Sequence, residues 1–307
     1  MSAEHPPSSG QRVAIILTCY NDGATLGETI ASIRQEPSDV ELVLVDDGST
    51  DAETVAYLAH LEYEGVTVIR QPNQGQAAAA MTGVSASSAP YVMRFDSDDL
   101  LEPGAVTALA DALETAPGAG VAWGDVQTFG LTDFRIVSPP ELDPWLLTYT
   151  NCLTGSGNLL RRTALAESGG WQLREGFEDW DLWLSLAELG YSGIHVPRVV
   201  FHYRRDRGGR LAGWLPDAAR HYDELRRRHE KLFASRVANR RRSAAPLALK
   251  VLVPAIEAVP WVSRLVKIHL CELFTRLFWA GGFMVTVRMA RKALFLRFPH
   301  WGAAGRG

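Results

Sequence analysis

In the first hundred residues, short apolar runs alternate with longer amphipathic stretches, and each apolar run ends in a polar turn. Short continuous apolar runs are typical of strands that are covered on both faces of a sheet. The runs are Val13–Leu17, Val40–Val45, Val66–Ile69 and Tyr91–Phe95, and a helical pattern follows each of the first three. This repeated order of strand, turn and helix predicts an α/β fold with a mostly parallel sheet and right-handed crossovers.

Small and acidic residues collect in the polar turns that follow the predicted strands. Because the carboxyl ends of parallel strands meet at one edge, this is where open α/β sheets bind ligands. Carboxylate oxygens suit Mg²⁺ and Mn²⁺, and Mg²⁺ is usually shared between one or two carboxylates and substrate phosphates. We therefore expect a site for a metal and a diphosphate at this edge. Its candidate residues are Thr18, Asp22, Asp46, Asp47, Asp96 and Asp98.

Helix capping is an alternative explanation for part of the acidic run Asp96–Asp99. Asp98 or Asp99 would then cap backbone N–H groups at the start of a helix near Pro103. A dinucleotide-binding Rossmann domain is disfavoured, because no G-x-G-x-x-G follows the first strand.

Five short motifs occur in a defined order along the chain. They are Thr18–Asn21 (TCYN), Val45–Asp51 (VDDGSTD), Asn73–Gly75 (NQG), Phe95–Asp99 (FDSDD) and Phe177–Trp183 (FEDWDLW). In this order they closely resemble the motif series of glycosyltransferase family 2, whose members are inverting enzymes with the GT-A fold. The resemblance covers residues 11 to 205.

The resemblance implies a reaction and its partners. A sugar would move from a nucleotide-diphosphate sugar, UDP- or dTDP-linked, to a hydroxyl of a glycan or a lipid-linked saccharide, with Mn²⁺ or Mg²⁺ assisting, as in polysaccharide biosynthesis. Many relatives carry Ala-Arg-Asn where this chain has Ala79–Met81, so an arginine that would reach the nucleotide is absent.

The resemblance also assigns roles to individual residues. Asp179 matches the catalytic base, and Asp96 and Asp98 match the metal-binding pair. His202 is a candidate further metal ligand, although a lone histidine is more often an ordinary packed or surface residue. Arg204 or Arg205 would clamp the diphosphate. The residues that match positions for nucleotide binding are Thr18, Tyr20, Asn21, Asp47, Gly75 and Asp96.

The chemistry of the reaction supports a carboxylate at position 179. A carboxylate that takes the proton of an attacking hydroxyl contributes roughly 10²–10⁴-fold to the rate. The flanking aromatic residues Phe177 and Trp180 would desolvate Asp179 and raise its pKa. Glu178 and Asp181 are rival candidates for the base. The same stretch is also typical of an amphipathic helix that is capped by Asp179.

Two features between the acidic motifs have both a functional and a structural interpretation. Residues Asn151–Arg162 are rich in glycine and small polar side chains, and this region borders the acceptor pocket in the resembling family; a plain loop is the alternative. Trp145, Tyr149 and Trp171 are candidates to stack on sugar rings, although most tryptophans serve in packing.

Two other functional classes fit the sequence less well. A Mg²⁺-dependent phosphatase or phosphotransferase would use Asp96 as its nucleophile, but it also needs a lysine, and residues 1–202 contain none. A non-catalytic sugar-nucleotide-binding or membrane-docking module would be indicated if Asp179 pointed into the core.

Charge is distributed unevenly along the 307 residues. Residues 1–202 carry 9 Lys and Arg against 28 Asp and Glu, whereas residues 203–307 carry 22 against 7. A basic C-terminal third indicates an anionic partner. Its apolar stretches, with basic flanks and spaced tryptophans, favour an anionic membrane surface, and we expect no nucleic acid partner. Two alternatives stay open: a soluble helical appendage or oligomer contact, and a spanning helix at 268–287, in which Glu272 and Arg276 would be costly unless they pair.

These patterns predict the organisation of the chain. We expect a disordered tail at 1–10, a GT-A catalytic domain at 11–215, a basic helical linker at 216–245 and a membrane-associating helical region at 246–307. The three cysteines form no C-x-x-C motif, which indicates free thiols in a reducing compartment. The predicted location is therefore cytoplasmic, at the inner face of the cell membrane.

Overall fold

A computed structural model describes residues 10–279, apart from 38, 65, 175 and 206–216. The predicted disordered tail, except Gly10, lies outside the described residues. So do the predicted domain boundary at 215 and the part of the candidate membrane span after residue 279.

The described residues form strands and helices in mixed order. The strands are β1 Val13–Cys19, β2 Val40–Asp46, β3 Val68–Arg70, β4 Tyr91–Asp96, β5 Leu100–Leu101, β6 Ala119–Gly130, β7 Arg135–Ile136, β8 Leu159–Arg161 and β9 Ser192–Arg205. The helices are α1 Gly23–Ile33, α2 Ala52–Tyr63, α3 Gln76–Ser85, α4 Ala105–Thr115, α5 Arg162–Ser168, α6 Glu178–Glu188, α7 Ala218–Arg228, α8 Glu230–Ala234, α9 Arg236–Arg242, α10 Leu247–Glu257 and α11 Arg264–Phe278.

The strands form one sheet in the order β3-β2-β1-β4-β8-β6-β9-β5, and β7 pairs with β6. β1 pairs in parallel with β2 and β4, and β6 pairs in parallel with β9, whereas β8 is antiparallel to both of its neighbours. The prediction of a mostly parallel α/β sheet is therefore confirmed.

Helices cover both faces of the sheet, as the apolar strands predicted. All seven residues of β1 are buried, and they alternate between two apolar clusters. Ile16 belongs to the cluster on one face, and Ile15 and Leu17 belong to the cluster on the other, because successive side chains of a strand point to opposite faces.

The register of the parallel strands brings their acidic ends together. Thr18 of β1 is the partner of Asp96 of β4, and Cys19 of β1 is the partner of Asp46 of β2. The turns that carry the predicted site residues are therefore neighbours at one edge of the sheet.

Two local predictions were wrong. β3 begins at Val68 instead of Val66. Neither Asp98 nor Asp99 caps a helix, because the chain after Asp96 first forms β5, which pairs with β9, and α4 begins only after Gly104.

The C-terminal helices pack against the segment that follows β7 through a third apolar cluster. Trp145 and Tyr149 meet Leu249, Val253 and Cys271 in this cluster, and all five are buried. Trp145 and Tyr149 therefore serve in packing, and the expectation that they stack on sugar rings was wrong.

None of the described helices is long and apolar enough to cross a membrane. In α11, Arg276 donates to Oε1 of Glu272 at 2.9 Å, so the two charges in the candidate span pair with each other.

Candidate active site

The turns after β1 and β2 are joined by Asn21. Its Oδ1 accepts hydrogen bonds from the backbone N–H groups of Thr50 and Asp51, at 2.7 and 3.1 Å. Asn21 has a φ of 59°, a left-handed conformation that asparagine tolerates better than most residues. The adjacent Tyr20 is exposed. The motif TCYN thus gives a rigid turn beside an accessible aromatic ring.

Asp47 organises the loop that precedes α3. Its Oδ1 accepts from Gln71 Nε2 at 2.7 Å and from the N–H of Gln74 at 2.9 Å, and its Oδ2 accepts from the N–H of Gly75 at 2.9 Å. Gly75 has a φ of 89°, which favours glycine. Together with Thr18, these residues lie at the predicted nucleotide edge, and their contact with a nucleotide stays a prediction.

Three aspartates form a compact acidic cluster after β4. Carboxylate oxygens of Asp96, Asp98 and Asp99 lie within 4.8 Å of one another. Gln76, the first residue of α3, donates to Oδ1 of Asp96. Asp99 is fully buried; its Oδ1 accepts from the N–H of Arg204 at 2.9 Å, whereas its Oδ2 has no hydrogen-bond partner.

Electrostatics make the acidic cluster suited to a cation. Burial, and then the charges of Asp96 and Asp98, raise the pKa of Asp99 well above its usual value. A divalent cation would remove this repulsion and would supply a partner for the buried Oδ2. Clustered carboxylates are the donor set that Mg²⁺ and Mn²⁺ prefer. The residues present therefore fit a divalent metal.

Arg204 holds the acidic turn in place. Its Nε donates to the carbonyl oxygen of Asp98 at 2.7 Å, and its Nη2 donates to Glu28. The guanidinium of Arg205 lies over the ring of Tyr203. The structure thus gives Arg204 a supporting contact with the acidic turn, and contact of Arg204 or Arg205 with a diphosphate stays a prediction.

His202 lies on β9 opposite Leu100. Its Nε2 is 2.6 Å from Oε2 of Glu102, and its ring meets the edge of Phe129. Among the described residues, the clustered metal-ligating atoms belong to the three aspartates alone. Metal binding by His202 stays a prediction.

Asp179 lies in the first turn of α6 and is half-buried. Its Oδ2 accepts from Nδ2 of Asn151 at 2.9 Å. Burial, and then the charge of Glu178, raise the pKa of Asp179 to about 6. The helix is capped by Phe177, which has a φ of 62°, so the expectation that Asp179 is the cap was wrong.

Glu178 and Asp181, the two other candidates for the base, both form ion pairs with basic side chains. Glu178 accepts from Nη1 of Arg94 at 2.9 Å, and both side chains are buried. Asp181 accepts from Nε of Arg228 at 2.7 Å and lies 3.0 Å from Nε2 of His229. Of the three acids in this turn, Asp179 is the one held by a neutral side chain.

The loop between Asn151 and β8 connects the two acidic motifs. Ser156 Oγ accepts from the N–H of Asp96 at 3.1 Å. At Gly155, an added Cβ would meet Nη2 of Arg94 at 2.5 Å and Oδ2 of Asp179 at 3.2 Å. This loop therefore packs between the end of β4 and the start of α6.

Three residues of this site were missed from the sequence. Asp99 belongs to the acidic run that predicted the site, but it was not among the predicted metal ligands. Arg94 and Asn151 had no local signal, because each meets its partner only in the folded chain, 84 and 28 positions away in the sequence.

Solved structures share this architecture. The S. aureus protein TarS (residues 1–349), in complex with UDP-GlcNAc, aligns with a TM-score of 0.53, covers 92% of both chains and is 15% identical. Mannosyltransferase PcManGT from Pyrobaculum calidifontis, in complex with GDP-Man and Mn²⁺, aligns with a TM-score of 0.55 over 97% of this chain and 85% of its own, at 21% identity. The fold is that of a GT-A glycosyltransferase.

Sequence comparison gives the family. Residues 14–168 match the profile described as Glycosyl transferase family 2. The Bacillus subtilis (strain 168) protein EpsE is 28% identical over 211 residues, which cover 65% of this chain and 75% of EpsE. The chain belongs to glycosyltransferase family 2, as its motifs predicted, and it is a glycosyltransferase that uses nucleotide-sugar donors.

Proposed function

We propose that this enzyme transfers a sugar from a UDP- or dTDP-linked donor to a hydroxyl of a glycan or lipid-linked saccharide, with inversion at the anomeric carbon and with Asp179 as the general base. This proposal rests on the environment of the Asp179 side chain and on its raised pKa. Its carboxylate is half-buried, is hydrogen-bonded by Asn151 and has a pKa raised to about 6. Such a group is mostly ionised at neutral pH and is still basic enough to accept a proton.

On the donor side, Asp96, Asp98 and Asp99 would hold a divalent cation. When bound, such a cation offsets the negative charge that develops on a leaving diphosphate. Asp47 would face the base and ribose, since its Oδ2 accepts one hydrogen bond from Gly75 and retains capacity for another. The complexes of TarS with UDP-GlcNAc and of PcManGT with GDP-Man support a nucleotide-diphosphate sugar as the donor class.

On the acceptor side, Asp179 would take the proton of the hydroxyl as its oxygen attacks the anomeric carbon. The hydrogen bond from Asn151 fixes the orientation of the carboxylate before the reaction, which lowers the entropic cost of reaching the transition state. Asp179 stands beside the loop at Gly155, so the acceptor would enter near residues 151–162.

A thermal-shift comparison tests the donor. UDP, dTDP and GDP are added to the full chain with and without Mn²⁺, and a nucleotide at a hundredfold excess over its Kd should stabilise by about 2.7 kcal/mol. We expect stabilisation by UDP or dTDP that requires the metal. Stabilisation by GDP alone would make the proposed nucleotide wrong, and no stabilisation by any of them would count against the donor site.

A substitution tests the base. Asp179→Asn should reduce turnover of the donor identified in that screen roughly 10²-fold or more, with little change in nucleotide affinity, since it removes only the proton acceptor. The matched control is Asp111→Asn, at an exposed carboxylate paired with Arg12. Near-normal turnover in Asp179→Asn would refute the assignment.

We also propose that the C-terminal helices dock on an anionic membrane surface. Three apolar side chains are strongly exposed there: Trp261, Leu247 and Val251, at 85%, 77% and 56%. Leu247 and Val251 are four residues apart and share one face of α10. Residues 236–279 carry eight basic and two acidic side chains, which complements anionic headgroups.

Vesicle binding tests this surface. The full chain should co-sediment with vesicles that contain phosphatidylserine and not with neutral phosphatidylcholine vesicles, and salt should weaken the binding. Trp261→Ser should reduce binding, whereas Tyr63→Ser, at an equally exposed aromatic ring on α2, should not. Equal binding by both variants would refute the docking surface.

A further inference from the structure

Arg94 is a buried cation that the resemblance to the family leaves without a role. It lies on β4, two residues before Asp96, and its side chain is 3% exposed. Its Nη1 donates to Oε1 of Glu178 at 2.9 Å, and the Glu178 side chain is 7% exposed. The guanidinium also lies 5.7 Å from the ring centroid of Trp171. A buried charge is tolerated only when it is paired, so Arg94 and Glu178 depend on each other.

The same guanidinium also faces the proposed base. Position 155 is glycine, and a methyl group there would meet both Nη2 of Arg94 and Oδ2 of Asp179. The cation and the carboxylate therefore approach each other on one side of Gly155, where a larger residue would place its Cβ. Arg94 thus contacts one carboxylate of the Glu178–Asp179 pair directly and lies close to the other.

We propose that Arg94 is a positioning residue for the reaction: its guanidinium neutralises Glu178 and thereby lets the neighbouring Asp179 act as the base. This inference rests on the proposed role of Asp179. Two adjacent carboxylates with little access to water repel each other, and such a pair tends to keep a proton. The cation offsets that repulsion and so favours the ionised form of Asp179.

Among the residues that the structure describes, few charged groups act on Asp179. Glu178 is its neighbour on α6, Arg94 faces it from β4, and Asn151 contributes a neutral amide from the loop. Asp96 acts on Arg94 from the end of the same strand. Removal of Arg94 and removal of Glu178 should therefore shift the pKa of Asp179 in opposite directions. A purely structural role of Arg94 predicts no such pair of shifts.

The test is a direct titration of Asp179 in the full chain without substrate. Aspartate carboxyl groups are labelled with ¹³C, and the Asp179 signal is identified by its loss in Asp179→Asn. In the unsubstituted chain this group should titrate at about 6. Arg94→Met should raise that pKa by about one unit or more, and Glu178→Gln should lower it. Arg12→Met, at an arginine paired with Asp111 and Glu114, should leave it unchanged.

Opposite shifts in the two variants would support the inference. An unchanged Asp179 titration in either folded variant overturns it, and so does a shift in the same direction in both. If Arg94→Met does not fold, Arg94→Gln takes its place: a raised pKa of Asp179 supports the inference, and any other result overturns it. Near-normal turnover of Asp179→Asn would instead overturn the proposed base, which these titrations do not measure.

Discussion

The buried cluster around Asp181 allows a stability prediction that needs no substrate. Asp181 is 0% exposed, and it accepts from Arg228 at 2.7 and 3.1 Å and lies 3.0 Å from Nε2 of His229. The other ring nitrogen of His229 is 3.0 Å from Glu188. These contacts connect α6, which carries Asp179, to the end of α7. Asp181→Asn should therefore loosen the C-terminal helices from the helix of the proposed base.

The expected loss follows from burial. Removing one partner of a buried ion pair typically costs about 3–5 kcal/mol, because the remaining charge stays without compensation. Asparagine keeps one oxygen that can accept a hydrogen bond, so we expect about 3 kcal/mol for Asp181→Asn. For a chain of this size, that loss lowers Tm by roughly 5 °C.

The loss should depend on pH. Burial alone lowers the pKa of His229, but hydrogen bonds to Asp181 and Glu188 outweigh it and raise the pKa above 6.5. A raised pKa in the folded state gives stability that is fully present below the unfolded pKa and is lost as pH rises through the folded pKa. Asp181→Asn removes part of that stability, so its effect should be larger at pH 6 than at pH 9.

Thermal and urea unfolding at both pH values, followed by circular dichroism, measure this loss. Arg34→Gln is the control, because the Arg34–Glu64 pair is exposed at 53% and 41% and should contribute less than about 1 kcal/mol. A loss below about 1 kcal/mol for Asp181→Asn, or an equal loss at pH 6 and pH 9, would refute the reasoning.

Three further predictions concern the site and the thiols. Asp98→Asn should abolish metal-dependent binding of UDP in calorimetry with Mn²⁺, because the amide is neutral; unchanged affinity would count against the acidic cluster. Gly155→Ala should lower turnover on the order of 10²-fold while UDP still binds, since the methyl group displaces Arg94 or Asp179, and normal turnover would show that the loop adapts. The three cysteines are buried, which raises their thiol pKa values to about 12, so none should react with a thiol reagent at neutral pH until urea unfolds the chain.

Much of the fold, and the part of the candidate site at the strand ends, can be predicted from the local pattern of apolar and acidic residues. The apolar runs that become β1, β2 and β4 are recognisable because a strand covered on both faces needs apolar side chains at every position. The positions of Asp47 and Asp96 at one edge also follow, because parallel strands that are joined by helices must end on the same side. The sequence by itself therefore determined the fold class, the family and the sheet edge at which we propose that the chemistry occurs.

The tertiary structure decided which side chains surround that proposed site. Arg94 meets Glu178 across 84 positions, and Arg204 meets the acidic turn after β4 across more than 100. No local periodicity encodes such pairs, since they depend on how the strands and helices pack against one another. The same is true of Trp145, which resembles a sugar-stacking residue in the sequence and is covered by α10 in the folded chain. Local pattern determines which face of an element is apolar, whereas long-range packing determines the partner of each buried charge.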